Sequence, residues 1–212
     1  MMALDGWVTF VALGDSLTAG FTSPIGYSGP RYYPYTAALE ALIRRGLSRS
    51  CGFRVVVVNK GVNGDSTDGM LERFGRSVAP EEPDYVILWA GINDLYAGRD
   101  PQQIAGNVVE LAERTVQVGA VPIHCAVTPV EGSPHLNERI RELNSLIREH
   151  CEEKGFPYVD LYAATAGPDL RLVPRYSDDG VHLSQEGYNV VARTIYEEAV
   201  KAVLEKLAAR GS

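Results

Sequence analysis

Short apolar runs recur along this chain, and each is separated from the next by a stretch with helical periodicity. Their continuous apolar character is typical of parallel strands that are buried on both faces of a sheet. We predict such strands at residues 7–13, 53–59, 84–90, 121–127 and 157–160. Strands that alternate with helices form βαβ units, whose right-handed crossovers place helices on both faces.

The intervening stretches carry apolar residues at steps of three and four, as at Ile104, Val108 and Leu111. This spacing predicts helices over about residues 34–47, 67–78, 104–115, 136–147 and 185–208. We therefore expect one domain over residues 1–212 with an α/β fold. Its architecture is predicted to be a three-layer α/β/α sandwich around a five-stranded parallel sheet, with the flavodoxin-like strand order 2-1-3-4-5.

The charge balance limits the possible partners. The formal net charge is −7 and the pI is about 5.1, which argues against a nucleic-acid partner because phosphate binding relies on Lys and Arg. No apolar run approaches the roughly 18 residues that span a bilayer, so we expect no integral membrane association. The first predicted strand begins by Trp7 and leaves no room for a secretory signal of about 15 or more residues, which predicts a cytoplasmic location.

Metal and cofactor signatures are missing from the sequence. The three cysteines form no Cys-x-x-Cys pair, and the four histidines show no His-x-x-x-His or His-Glu-x-x-His spacing. Neither a Gly-x-Gly-x-x-Gly motif nor a P-loop is present, which argues against a flavin- or nucleotide-binding protein on the same fold. We expect no metal and no cofactor, and the sequence leaves the oligomeric state open.

A candidate nucleophile follows the first predicted strand. Ser16 lies in Gly14–Leu17, just past the carboxyl end of that strand, where ligands bind in open α/β sheets. A serine hydroxyl needs a base, and His182 is the one histidine of four with an acidic residue, Asp179, three positions earlier. Together these side chains are the parts of a Ser-His-Asp triad.

Each triad candidate also has a plainer interpretation. Ser16 alone could be a turn or helix-cap residue, and His182 could cap the last helix within an ordinary turn. Asp178 is a second candidate for the acid that orients the imidazole, four residues before His182.

Acyl transfer also needs donors for the developing oxyanion. Gly64 follows the second predicted strand, and its backbone N–H can approach a substrate closely because it has no side chain. Asn93 follows the third strand, and its side-chain amide can donate. The alternatives are a simple turn glycine and a helix N-cap. Asp15 and Asp94 are interpreted as local caps or loop anchors.

The segment after the nucleophile is rich in tyrosine, with Tyr27, Tyr32, Tyr33 and Tyr35. Aromatic walls with polar tips suit a small ester pocket. The same tyrosines could instead pack this segment onto the sheet, and the sequence leaves both possibilities open.

Four blocks in this order resemble the GDSL, or SGNH, hydrolase family: Gly14–Leu17, the glycine Gly64, Gly91–Asp94 and Asp179–His182. The resemblance spans about residues 8–198. It implies that Ser16 is the nucleophile, that His182 and Asp179 complete the triad, and that the Ser16 N–H, Gly64 and Asn93 form the oxyanion hole. It also implies a flavodoxin-like α/β/α sandwich.

The resulting expectation is a serine esterase that acts on small-molecule carboxylic or thio esters of small to medium acyl chains. Alternatives within the resemblance are a carbohydrate acetylesterase and a lysophospholipase or acyl-thioesterase. A non-catalytic binding module on the same fold is the alternative from another class.

Overall fold

The computed structural model describes residues 6–23, 29, 31–46 and 53–210, and over that part of the chain the strands form two sheets. The strands are β1 (Trp7–Gly14), β2 (Phe21–Thr22), β3 (Arg31–Tyr32), β4 (Arg54–Gly61), β5 (Tyr85–Trp89), β6 (Val121–Cys125) and β7 (Tyr158–Val159). The larger sheet is parallel and has the order β4-β1-β5-β6-β7. Counted among these five strands alone, the order is 2-1-3-4-5, which confirms the predicted topology.

Helices flank this sheet. They are α1 (Ser16–Ala19), α2 (Tyr35–Gly46), α3 (Thr67–Ser77), α4 (Ile92–Tyr96), α5 (Pro101–Gln117), α6 (Pro134–Lys154), α7 (Leu161–Thr165), α8 (Gln185–Ile195) and α9 (Lys201–Arg210). Helix α2 packs against α8, while α3, α5 and α6 pack in sequence against one another. None of the helices in the described residues combines the length and apolar character needed to cross a membrane.

The central strands are buried because both faces of the sheet are covered. All five residues of β5 are buried, and Phe10 to Leu13 of β1 are fully excluded from solvent. This explains why these strands appear in the sequence as unbroken apolar runs rather than as alternating patterns.

The observed elements differ from the sequence-based expectation in several places. Strand β4 extends to Gly61 because all eight residues of β1 pair with it. Strands β2 and β3 form an antiparallel hairpin that the apolar pattern did not indicate. The predicted last helix is divided by a π-helical turn, Tyr196–Val200, where the Glu198 side chain accepts from the backbone N–H of Asp160.

The register of the sheet brings three strand ends together. Gly14 at the end of β1 pairs with Gly61 of β4 on one side and with Trp89 of β5 on the other. A Cβ on Gly61 would lie 2.1 Å from the backbone nitrogen of Ala19, so this close approach of β4 to α1 requires glycine. The loops after β1, β4 and β5 therefore leave the sheet side by side.

Candidate active site

Ser16 is the first residue of α1 and is 6% exposed. The short helix is fixed at both ends: Asp15 Oδ1 accepts from the Leu17 N–H at 2.9 Å, and Gly20 closes it with a φ of 83°. The Ser16 Oγ lies 3.1 Å from Nε2 of His182. The structure thus brings the serine hydroxyl within hydrogen-bond distance of an imidazole nitrogen.

Asp179 holds the loop and the ring of His182 with its two oxygens. Oδ1 accepts from the backbone N–H groups of Val181, at 3.0 Å, and His182, at 2.7 Å. Oδ2 lies 2.7 Å from Nδ1 of His182. Since Nδ1 donates its proton to this carboxylate, the lone pair of Nε2 faces Ser16.

The environment of Asp179 favours its charged form. Partial burial alone would raise the pKa of Asp179, but the hydrogen bonds from the His182 ring and from the two backbone N–H groups outweigh it. The pKa therefore lies below its ordinary value, and the carboxylate is ionised at neutral pH.

Neighbouring residues hold the histidine loop in place. The Ser177 hydroxyl donates to the carbonyl of His182 at 2.6 Å and accepts from the Gly180 N–H at 2.9 Å. The Phe21 ring lies edge-on to the imidazole, with 4.7 Å between ring centroids. Asp178 accepts from Thr22 Oγ1 at 3.2 Å, so the acid at the imidazole is Asp179.

Gly64 and Asn93 lie in the two adjacent loops. Gly64 has a φ of 74° in the turn that the Asp65 N–H closes onto the Val62 carbonyl at 3.1 Å. No heavy atom lies within 4 Å of a Cβ built on Gly64, so this position faces open space. The Asn93 Nδ2 donates to the Asp65 carbonyl at 2.9 Å, which leaves the amide's second hydrogen for another acceptor.

The N-cap interpretation of Asn93 is wrong. Gly91, with a φ of 116°, occupies the N-cap of α4, and Asn93 lies inside the helix. The anchoring interpretation of the two aspartates is confirmed. Asp15 caps α1, and Asp94 accepts from the Thr67 backbone N–H at 2.9 Å and from its hydroxyl at 2.8 Å.

The tyrosines of the segment after α1 divide between two environments. Tyr35 is fully buried against Trp89, and Tyr33 packs against the core, so these two hold the segment on the sheet. Tyr32 is 48% exposed, and its hydroxyl accepts from Asn63 at 2.9 Å, beside Gly64. Tyr27 lies outside the described residues.

An open cleft of about 480 Å³ lies beside Asp179. Its walls include Tyr96, Glu131, Ser133, Arg171 and Asp179. The lining therefore combines an aromatic face, charges of both signs and hydroxyls, which suits a polar ligand.

The other histidines lie apart from this site. His124 is buried in β6, and burial, with His150 nearby, lowers its pKa to about 3. Within the described ranges, no group of three or more His, Cys, Asp or Glu side chains is arranged to hold a metal ion.

Sequence reasoning did not identify Phe21, Asp65 or Arg73. Phe21 belongs to a two-residue strand that is too short for a periodic signal. Arg73 donates to Asp65 Oδ2 at 2.7 Å and is buried although α3 is otherwise amphipathic. In the sequence, Arg73 lies three residues after Met70 and next to Phe74, on the apolar face of the predicted helix. This position was a weak indication that the arginine is buried.

Comparison with known proteins identifies the family of this chain. Residues 12–190 match the GDSL-like Lipase/Acylhydrolase family. An arylesterase of Vibrio mimicus is 28% identical over 193 residues, covering 90% of this chain and 88% of that protein. An acetylxylan esterase of Geobacillus stearothermophilus is 27% identical over 205 residues, covering 88% and 91%.

A solved structure shows the same fold. The crystal structure of Axe2, an acetylxylan esterase from Geobacillus stearothermophilus, superposes with a TM-score of 0.72 at 21% identity, over 90% of this chain and 93% of that one. The family match spans most of the sequence and includes the loops that carry Ser16, Gly64, Asn93 and His182. The chain belongs to the GDSL-like lipase/acylhydrolase family.

Proposed function

We propose that this chain is a serine esterase that hydrolyses carboxylic or thio esters of small to medium acyl chains through an acyl-enzyme on Ser16. The family and the esterase relatives make it a carboxylic ester hydrolase. The observation that carries the assignment to Ser16 is the continuous relay of 2.7 Å from Asp179 to Nδ1 and 3.1 Å from Nε2 to Oγ. We further propose that residues 1–212 act as one domain in the cytoplasm.

In the acylation step, the Ser16 Oγ attacks the ester carbonyl carbon while His182 Nε2 takes the hydroxyl proton. Asp179 accepts from Nδ1, keeps the imidazole in the productive tautomer and stabilises the imidazolium that forms. The carbonyl oxygen becomes an oxyanion. We assign the Ser16 N–H, the Gly64 N–H and the second amide hydrogen of Asn93 as its donors.

Collapse of the tetrahedral intermediate breaks the bond to the leaving alcohol or thiol, which receives the proton from His182. Water then attacks the acyl-enzyme, and the same nitrogen takes its proton and returns one to Ser16. Carboxylic acid is released, and the enzyme is restored without a cofactor.

A carbohydrate acetylesterase is the second candidate for the substrate class. The acetylxylan esterase relative supports it, and so does the cleft beside Asp179, whose polar and aromatic lining suits a sugar. We propose that the sugar then packs against Tyr96, which lines this cleft and is 53% exposed.

A fluorophosphonate probe tests the proposed nucleophile. We expect one covalent adduct, mapped by peptide mass spectrometry to Ser16, and none in Ser16→Ala. Absence of an adduct on active protein, or an adduct on another serine, would contradict the proposal.

A panel of p-nitrophenyl esters from acetate to palmitate, beside acetylated sugars, acyl-CoA and lysophospholipid, then distinguishes the substrate classes.

A further inference from the structure

Arg73 is a buried cation behind the candidate oxyanion hole. Its side chain is 8% exposed, and it reaches from α3 to the loop after β4 and to the end of β1. Nε donates to Asp65 Oδ2 at 2.7 Å, and Nη2 donates to the Gly14 carbonyl at 3.0 Å. The planar guanidinium holds both acceptors in one fixed geometry, which a lysine cannot do.

These two acceptors lead directly to the proposed oxyanion donors. Gly14 lies two residues before Ser16, and its carbonyl also accepts from the Val62 N–H at 3.1 Å. Asp65 follows Gly64 in the chain, and its own carbonyl accepts from the Asn93 amide at 2.9 Å. Through Gly14 and Asp65, the Arg73 side chain is therefore connected to the segments that carry all three donors, although it contacts none of the donors itself.

A second observation shows that the fold makes room for this arrangement. A Cβ on Gly69 would lie 2.2 Å from Asp65 Oδ1 and 3.3 Å from its carboxyl carbon. Glycine in the first turn of α3 therefore lets the carboxylate lie against the helix, where Arg73 meets it. The Asp65 side chain is only 10% exposed there.

Stability alone does not account for such a pair. Desolvation of two charges often offsets their attraction, so a buried ion pair is weak evidence for a stabilising role. Here Arg73 joins the Gly64–Asp65 turn to the end of β1, and the relative position of these two segments sets the distances between the proposed oxyanion donors.

We propose that Arg73 is a positioning residue that fixes the oxyanion hole by holding the Gly64–Asp65 turn against the end of β1 and, through the Asp65 carbonyl, orienting the Asn93 amide. The inference rests on the proposed function. Arg73 affects the stability of the transition state rather than substrate binding, because the oxyanion forms only on the way to the tetrahedral intermediate.

The first test compares Arg73→Met and Arg73→Lys with wild type. We expect kcat to fall about 10- to 100-fold in Arg73→Met with KM little changed, because small misplacement of catalytic groups carries a cost of that order. Arg73→Lys retains the charge but not both hydrogen bonds, so its kcat should lie between those of wild type and Arg73→Met. Affinity for an alkylboronic acid, which forms a tetrahedral adduct on serine, should weaken in parallel with kcat.

Arg114→Met is the matched control. Arg114 also donates to a backbone carbonyl of α3, that of Leu71 at 2.7 Å, but it reaches from α5, away from the site. Its loss should lower thermal stability without changing kcat. A merely structural Arg73 would behave in the same way, with kcat per folded molecule and boronate affinity unchanged, and that result would overturn the proposal.

A double-mutant cycle tests the link through Asn93. Because part of the Arg73 effect passes through that amide, Arg73→Met should cost less in an Asn93→Ala background than in wild type. Equal costs in both backgrounds would refute the link.

Gly69→Ala provides an independent test if Arg73→Met fails to fold. It displaces the Asp65 carboxylate while leaving Arg73 in place, and we expect the same fall in kcat. Unchanged kcat in folded Gly69→Ala and Arg73→Lys would refute the inference. The fluorophosphonate adduct on wild-type Ser16 is measured first, so a missing adduct marks failure of the proposed function rather than of this inference.

Discussion

Asp179 binds His182 at two points, through the ring and through the backbone. One carboxylate oxygen lies 2.7 Å from Nδ1, and the other accepts the histidine's own backbone N–H at 2.7 Å. The three-residue spacing makes both contacts possible at once. Asp179 therefore fixes the backbone of the loop as well as the orientation of the ring, and a suitable substitution can remove one role without the other.

Asp179→Asn separates them. The amide oxygen can still accept from the backbone N–H groups, but an NH₂ at the Oδ2 position favours the wrong imidazole tautomer. We expect kcat to fall by as much as about 10⁴-fold. Asp178→Asn is the matched control, because Asp178 accepts from Thr22 instead, and it should be much milder. The reverse order in kcat would assign the orienting role to Asp178.

Ser16→Ala should remove the covalent step. On the scale known for loss of a triad member, kcat should fall by about 10⁴- to 10⁶-fold. Circular dichroism should show an intact fold, since Asp15 and Gly20 still cap α1. Near-wild-type ester hydrolysis by the folded variant would refute the triad.

Asn93→Ala should lower kcat by about 10²- to 10³-fold with little change in KM, as expected for one lost oxyanion donor. The loss of thermal stability should not exceed that of the one hydrogen bond to the Asp65 carbonyl, because Gly91, not Asn93, is the N-cap of α4. Asn63→Ala is the control, since that amide donates to the Tyr32 hydroxyl. A change confined to KM would indicate ground-state binding instead.

His124 should make the fold sensitive to acid. Burial, with His150 nearby, lowers its pKa to about 3 in the folded chain, and neither ring nitrogen has a hydrogen-bond partner among the described residues. The unfolded chain takes up the proton near pH 6.5, so the stability contribution is complete above that pH and is lost as pH falls towards 3.

Urea unfolding of wild type and His124→Leu at pH 7, 5.5 and 4 provides the measurement. Between pH 6 and 4, wild type should lose up to about 1.4 kcal/mol per pH unit relative to the variant. Parallel pH dependence of the two proteins would contradict this expectation.

Asp15 should make the stability of the fold depend on pH in the opposite direction to His124. Burial raises its pKa to about 7, so the folded state holds a proton that the unfolded state has released above about pH 3.8. Stability is complete below pH 3.8 and declines until the folded group ionises near pH 7. Asp15→Asn keeps an acceptor for the Leu17 N–H. Its stability relative to wild type should rise between pH 4 and 7 in the same assay, and a constant difference would refute the raised pKa.

The sequence by itself determined the features that depend on short-range patterns. Unbroken apolar runs predicted β1 and β5, because a strand covered on both faces excludes most polar residues, and a similar run predicted β4 although it lies at the edge of the sheet and is only partly buried. The spacing from Asp179 to His182 indicated their contact, since three residues of loop suffice for it. The flavodoxin-like strand order was predicted as one of the few topologies that the crossover rules allow for alternating strands and helices, and the sheet has that order.

Only the tertiary structure decided how distant groups meet. Ser16 and His182 are 166 residues apart, and their contact depends on how the last loop packs over the ends of the strands. Packing also selected Gly91 over Asn93 as the N-cap, and it placed Phe21 on the imidazole. Arg73 shows the same limit: its partners are Asp65 in the loop after β4 and Gly14 at the end of β1. These contacts form only after the sheet has formed, so local periodicity cannot predict them.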